Sequence, residues 1–203
     1  TELKPYAEMI KSVSKFIEKI KYNFEYIDFG GGMGIQYKNN EKKLNYKKYL
    51  YLVKKFVHKY RVKIIFEPGR SIIGDTAILL SKIIYIKKTN RRNFVIIDAA
   101  MNDLIRPALY GSYHKIVPLR KKQQIINKLH NFVGPICETT DQFSVLKRYF
   151  KLNDKDFLAI CDVGAYGMVL SSNYNLRPRP SELMIDKSKV KLISKRETLK
   201  DII

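Results

Sequence analysis

The stretch Phe24-Glu25-Tyr26-Ile27-Asp28-Phe29-Gly30-Gly31-Gly32-Met33-Gly34 decides the fold class. Its first half reads as a short strand, and it runs without a linker into a glycine cluster. Upstream, Leu3, Tyr6, Ile10, Val13, Ile17 and Ile20 recur every three or four residues, which predicts an amphipathic helix over 3–20. Pro5 lies in its first turn, where a missing N–H costs least. Downstream, Tyr46, Leu50, Val53, Val57 and Tyr60 predict a second helix over about 44–60. A strand from Val62 to Phe66 follows and ends in Glu67-Pro68-Gly69-Arg70. Helix, strand, loop, helix, strand, loop is the alternation of a parallel α/β sheet or barrel.

Beyond about residue 76 the texture changes. Ala77–Ile86, Phe94–Ile97, Phe157–Cys161 and Val190–Ile193 are short apolar runs punctuated by Gly, Pro and Asn. They read as an antiparallel β domain, with some helical character expected at 121–130 and 141–150. Two unequal parts are therefore expected, 1–75 and 76–203. The 203 residues include 45% hydrophobic and 29% charged side chains, ordinary for a globular chain. No apolar run reaches the ~18 residues needed to span a bilayer. Nothing at the start resembles a signal peptide, and Cys137 and Cys161 are too few for a disulfide scaffold, so a reducing, cytoplasmic location is expected. The first residue is Thr, which points to a processed start or a piece of a longer chain.

The formal charge is +20, from 39 Lys+Arg against 19 Asp+Glu. Such a charge attracts nucleic acid, anionic lipid and phosphorylated metabolites non-specifically. The lysines are scattered as pairs such as Lys42-Lys43 and Lys87-Lys88 rather than gathered on one element, so no dedicated nucleic-acid or membrane partner is expected. His58, His114 and His130 have no metal-ligand neighbours at a usable spacing, and no metal site is expected.

Five constellations can carry chemistry. Gly30–Gly34 can turn sharply and aim backbone N–H groups at an anion such as phosphate, or form a tight turn that binds nothing. Glu67-Pro68-Gly69-Arg70 offers a stiff turn, a close backbone approach and a planar guanidinium suited to phosphate or carboxylate; the alternative is a surface turn with a Glu–Arg pair. In Asp98–Tyr110, Arg106 and Tyr110 stand four residues apart and could reach one polar ligand. Pro107 argues against a regular helix there, and a plain loop with Arg106 paired to Asp103 is the alternative. Cys137-Glu138 follows Gly134-Pro135 and sets a thiol beside a carboxylate, a plausible proton donor with a binding partner. In Gly164-Ala165-Tyr166-Gly167, small neighbours would expose a hydroxyl for a phosphate or amine. Cys161, in an apolar strand, reads as a small buried hydrophobe, and Ser171–Pro180 as structural or interfacial.

Taken in order, Asp28–Gly34, Glu67–Arg70, Met101–Tyr110, Gly134–Asp141, Gly164–Gly167 and Asn173–Pro180 resemble the fold-type III pyridoxal-phosphate decarboxylases, and within them the branch that acts on meso-diaminopimelate. The resemblance implies the C-terminal part of an alanine-racemase-like (β/α)8 barrel over 1–75, then an antiparallel β-sandwich or barrel over 76–203. It implies pyridoxal 5'-phosphate as cofactor. Gly32, Pro68, Gly69, Arg70 and Tyr166 would hold the cofactor phosphate, and Glu67 would face the pyridine nitrogen. Arg70, Arg106, Tyr110, Glu138 and Tyr166 would bind substrate, and Cys137 would donate a proton. It further implies a homodimer in which Cys137 and Glu138 serve the partner's site. Thr139-Thr140 stands where the family usually has Ser-Gly, and Ala100 where Gly is common. The family's cofactor lysine belongs to an N-terminal half-barrel with no counterpart here, so the chain by itself is expected to be inactive. A non-catalytic half awaiting a separate N-terminal half, a related basic amino-acid or polyamine decarboxylase, and a basic nucleic-acid-associated protein are the competing readings.

Overall fold

The computed structural model describes residues 1–120 and 124–203. The chain divides into two compact units, Thr1–Asp75 and Thr76–Ile203.

The first unit alternates helix and strand. Helix α1 (Leu3–Ile20) carries the predicted apolar stripe, and Pro5 falls in its first turn. Strand β1 (Tyr26–Asp28) leads into the glycine loop. Helix α2 (Tyr46–Tyr60) begins two residues later than expected because Asn45 caps it, its side-chain oxygen accepting the Lys48 N–H at 3.0 Å. Both helices end on a left-handed residue, Lys21 and Arg61, whose N–H groups return to Ile17 and Val57 carbonyls. Strand β2 (Lys63–Ile65) pairs parallel with β1, Ile27 opposite Ile64, and a short helix α3 (Arg70–Ile73) follows. Ile17, Phe29, Met33, Leu44, Tyr49, Val53, Phe56 and Val62 form the buried centre, so the helix stripes and the strand ends share one apolar layer.

The second unit is built on a six-stranded sheet. Its members are β3 (Leu79–Lys88), β4 (Arg92–Ile97), β5 (Ile116–Pro118), β7 (Leu129–Val133), β8 (Gln142–Leu146) and β10 (Phe157–Ile160), in the order β5-β10-β3-β4-β7-β8. Along β4, Asn93, Val95 and Ile97 are buried in alternation. A five-residue helix, α4 (Arg106–Tyr110), precedes β5. β6 (Ile125–Ile126) pairs with β9 (Tyr149–Phe150). β11 (Glu182–Asp186) and β12 (Lys189–Ser194) make an outlying hairpin with most of its side chains exposed. Ile83, Val95, Ile97, Phe132, Leu158 and Ile160 are essentially inaccessible and centre the core.

Three expectations change. The sheet is mixed rather than antiparallel, because β4 and β7 run parallel, Arg92 opposite Leu129. Residues 98–128 supply the long connection that a parallel pair needs. The helical reading of 121–130 and 141–150 gives way to strands β6 to β9, with 121–123 outside the described residues. β7 buries His130 and Asn131 side by side, so it lacks the alternation that marks a strand, and pairing overrides local propensity. Finally, α4 forms despite Pro107, because the helix starts at Arg106 and the proline occupies its first turn. No helix among the described residues is long and apolar enough to cross a membrane.

Two buried imidazoles set an acid limit on the second unit. In His114 and His130, Nδ1 lies 2.9 and 2.8 Å from the backbone carbonyls of Cys161 and Lys128, and must donate. Burial holds each imidazole below its ordinary pKa of 6.5, against the partial opposing pull of those carbonyls. The unfolded chain therefore binds more protons than the folded one. The full contribution is present above pH 6.5 and is lost as pH falls through the depressed values. Urea midpoints measured between pH 7.5 and 5 should fall with acid, and His130→Gln should flatten the slope.

Candidate active site

In the first unit, the Asp28 carboxylate accepts the Gly30 N–H at 2.7 Å and starts the turn out of β1. Gly30 and Gly32 take φ values of +65 and +80, open to glycine without penalty. Pairing continues beyond the strands: Phe29 N–H donates to Ile65, and Glu67 N–H donates to Gly30, at 3.0 and 2.9 Å. Gly31 is what permits this approach, since a Cβ there would lie 2.3 Å from the Glu67 carbonyl oxygen. The Tyr6 hydroxyl of α1 donates to the Gly32 carbonyl at 2.9 Å and holds the loop from the other side. The two glycine loops read from sequence are thus adjacent. An added Cβ at Gly32 or Gly69 would meet nothing within 4 Å, so the space beside both is open. Glu67, Pro68 and Gly69 are exposed and Arg70 is half-buried at the start of α3. Open space beside two glycine loops, with an arginine in the second of them, suits a phosphate dianion.

In the second unit, Arg106 is buried and lies 3.1 Å from His114 Nε2, with its guanidinium 5.9 Å from the Tyr166 ring centroid. Tyr166 itself is exposed and left-handed, at φ +60. The alternative reading, a loop with Arg106 paired to Asp103, gives way to a different ion pair for Asp103. Arg177 approaches Asp103 at 3.8 Å, and also donates to Asn102 Oδ1 and the Asp98 carbonyl at 2.9 and 2.6 Å. Burial raises the Asp103 carboxyl, opposed by the Ala100 N–H and Arg177. Arg106 and Tyr110 part company in burial: Arg106 is 5% and Tyr110 65% exposed, the latter on the last turn before the left-handed Gly111.

Cys137 is exposed on a tight loop. The loop closes on itself through Glu138 N–H to Ile136 O at 2.8 Å and Asp141 N–H to Glu138 O at 3.0 Å. Beneath it the buried Asp141 carboxylate accepts the Ile136 N–H at 2.9 Å and the Met101 N–H at 2.7 Å, binding the loop to the segment that leads to Arg106. Burial raises this carboxyl, and those amides pull it back. Gly134 leaves the room, since a Cβ there would lie 2.2 Å from Asp141 Oδ2. The threonines order the loop's carboxylate: the Thr140 N–H and Thr139 Oγ1 both donate to Glu138 and lower its pKa. Cys161 is half-buried just past β10, and burial raises its thiol.

His114, Asp141 and Arg177 are the residues that sequence reasoning did not assign to this site. Asp141 and Arg177 lay inside motifs already singled out. His114 carried no local signal, because its partners Arg106 and Cys161 meet it only in the fold. Among the described residues, no group of His, Cys, Asp and Glu could hold a metal ion.

The chain belongs to the pyridoxal-dependent decarboxylases: residues 22–164 match the C-terminal sheet domain of that family. It is 38% identical over 199 residues to diaminopimelate decarboxylase of Aquifex aeolicus, an alignment spanning 97% of this chain and 47% of that protein. The crystal structure of diaminopimelate decarboxylase from M. jannaschii with L-lysine superposes with TM-score 0.91 and 34% identity, over all of this chain and 48% of that one. The Helicobacter pylori diaminopimelate decarboxylase complexed with L-lysine gives TM-score 0.88 at 35% identity, over 99% and 50% of the two chains. The chain therefore spans about half the length of the relatives it matches.

Three substitutions test these geometries. Gly31→Ala forces its methyl onto the Glu67 carbonyl and should destabilise the first unit by ~1–3 kcal/mol in denaturant unfolding. Gly32→Ala meets open space and bears only the left-handed penalty, ~1 kcal/mol. Asp141→Asn turns an NH₂ toward one of two amide donors and should cost ~1–3 kcal/mol. The loop amides from 136 to 140 should then lose hydrogen-exchange protection before the core strands do.

Proposed function

We propose that this chain acts as the C-terminal part of a pyridoxal-phosphate enzyme that decarboxylates meso-2,6-diaminopimelate to L-lysine. The observation that carries this reading is the register of the two loops, Glu67 N–H on Gly30 O with Gly31 beneath Glu67, at the ends of parallel strands. The relatives named for that activity align over the whole chain. On this reading the first unit is the C-terminal portion of a (β/α)8 barrel and the second a β domain.

Bound pyridoxal phosphate supplies an electron sink for the charge left when CO₂ departs. The Gly32 N–H and the backbone of Gly69 and Arg70 would hold its phosphate, with Pro68 stiffening the turn. Glu67 would face the ring nitrogen and favour its protonated, electron-withdrawing form. Arg70 from the first unit, and Arg106 and Tyr110 from the second, would each serve the distal amino-acid end of the substrate. Glu138, aligned by Thr139 and Thr140, would grip the distal ammonium, and the Tyr166 hydroxyl would serve phosphate and substrate. Cys137 Sγ donates the proton that replaces the lost carboxylate. Cys137 and Glu138 serve the partner's site in a homodimer.

The lysine that carries the cofactor is assigned to an N-terminal half-barrel. Labelled CO₂ release from meso-diaminopimelate should be absent from this chain alone and appear when that half is supplied; turnover by the chain alone overturns the reading. Within the assembled dimer, Cys137→Ala and Glu67→Ala should each be nearly inactive. Mixed and reassorted, they should recover about a quarter of wild-type activity, since half the dimers are hybrids and each hybrid holds one intact site. No recovery would place Cys137 in its own subunit's site.

A further inference from the structure

The His114 side chain is 2% exposed, yet both its nitrogens are committed. Nδ1 lies 2.9 Å from the Cys161 carbonyl, which can only accept, so Nδ1 carries the proton. Nε2 is then left with a lone pair, and it faces Arg106 at 3.1 Å, which can only donate. The backbone carbonyl thus selects the one tautomer able to hold the guanidinium. Arg106, buried on α4, is also stacked near the Tyr166 ring, and Tyr166 follows Cys161 by five residues on the same loop. A single imidazole therefore links the helix that bears Arg106 to the loop that bears Tyr166.

We propose that His114, kept neutral with its proton on Nδ1, is a positioning residue that clamps the Arg106 guanidinium in its ligand-binding orientation and releases it in acid. This rests on the assignment of Arg106 to the substrate. Protonation would place a new N–H on Nε2 against a group with no acceptor, replacing a hydrogen bond by repulsion. The surroundings favour the neutral ring. Arg106 is the cation against it. Tyr113, Lys115 and, from β9, Tyr149 line with it a cavity of about 300 Å³. Cys161 and Asp162 stand on the loop after β10. Burial raises the Tyr149 hydroxyl and the Cys161 thiol, so both stay uncharged through the range in which an imidazole titrates. Asp162 is an anion on that loop, yet the balance at His114 is set elsewhere: burial and Arg106 depress its pKa, and the Cys161 carbonyl opposes them.

The test combines two readouts. Nitrogen-15 correlation spectra of the labelled chain should show His114 as the Nδ1–H tautomer at pH 7, with a slowly exchanging Arg106 NηH signal. Both should persist below pH 6.5 and disappear together on further acidification. His114→Gln, whose carbonyl can accept from Arg106 and whose amide can donate to Cys161, should keep the Arg106 signal and lose its acid dependence. His114→Leu should lose the signal at every pH. In the assembled enzyme, His114→Leu should raise KM for meso-diaminopimelate about tenfold with kcat little changed, the loss expected of one charge-assisted hydrogen bond. His114→Gln should restore KM and flatten its rise in acid. An Nε2–H tautomer or an imidazolium at pH 7 overturns the proposal, as does an unaltered KM in His114→Leu. If the wild-type assembly does not process diaminopimelate, the functional reading fails, and the Arg106 signal in the Leu and Gln variants still decides the clamp.

Discussion

One backbone hydrogen bond, from the Glu67 N–H to the Gly30 carbonyl at 2.9 Å, carries the parallel pairing of β1 and β2 beyond the last strand residues. It forms only because residue 31 has no Cβ to strike the Glu67 carbonyl. Everything assigned to the cofactor phosphate in the first unit follows from it. The bond sets the glycine loop beside Glu67–Arg70, and Tyr6 then fixes Gly32 from α1. A side chain at 31 would separate the loops, and backbone donors on two loops cannot converge on one anion unless the loops are neighbours.

The second unit obeys a different constraint. Its loops are held by polar groups that each take at least one backbone partner. Asp141 takes the amides of Ile136 and Met101, and His114 spans Arg106 and the Cys161 carbonyl. Arg177 reaches Asn102, Asp103 and the Asp98 carbonyl. Near the end of the chain, Glu197 is held down to about 2 by Arg179 and by the Asn173 amide, and so fastens the Asn173–Arg179 segment. Removing one partner from such a network leaves a desolvated group unpaired, so these contacts fix geometry more firmly than their net energies suggest.

The positive charge has little part in this architecture. Nearly every described lysine is exposed, over both units, and the lysine ion pairs, such as Lys59 with Glu18 at 2.7 Å, lie on the surface. Exposed pairs of this kind contribute little to stability.

Local chemistry made much of this legible. The apolar period of 3–20, the glycine run after Ile27 and the turn at Glu67–Arg70 each act over a few residues, so α1, β1, α2, β2 and the two loops were readable from residue order alone. It also determined the exposed Cys137 loop, because Gly134 and Pro135 forbid a regular element there. The strands at 125–150 escaped, since β7 is buried on both faces and shows no alternation, and so did the parallel pairing of β4 with β7, which depends on a distant connection. Tertiary structure alone decided that Arg106 faces His114 and that Asp103 is left to Arg177. Those choices bring together groups 8 and more than 70 residues apart, and burial, which no local pattern records, is what makes each polar group find its partner.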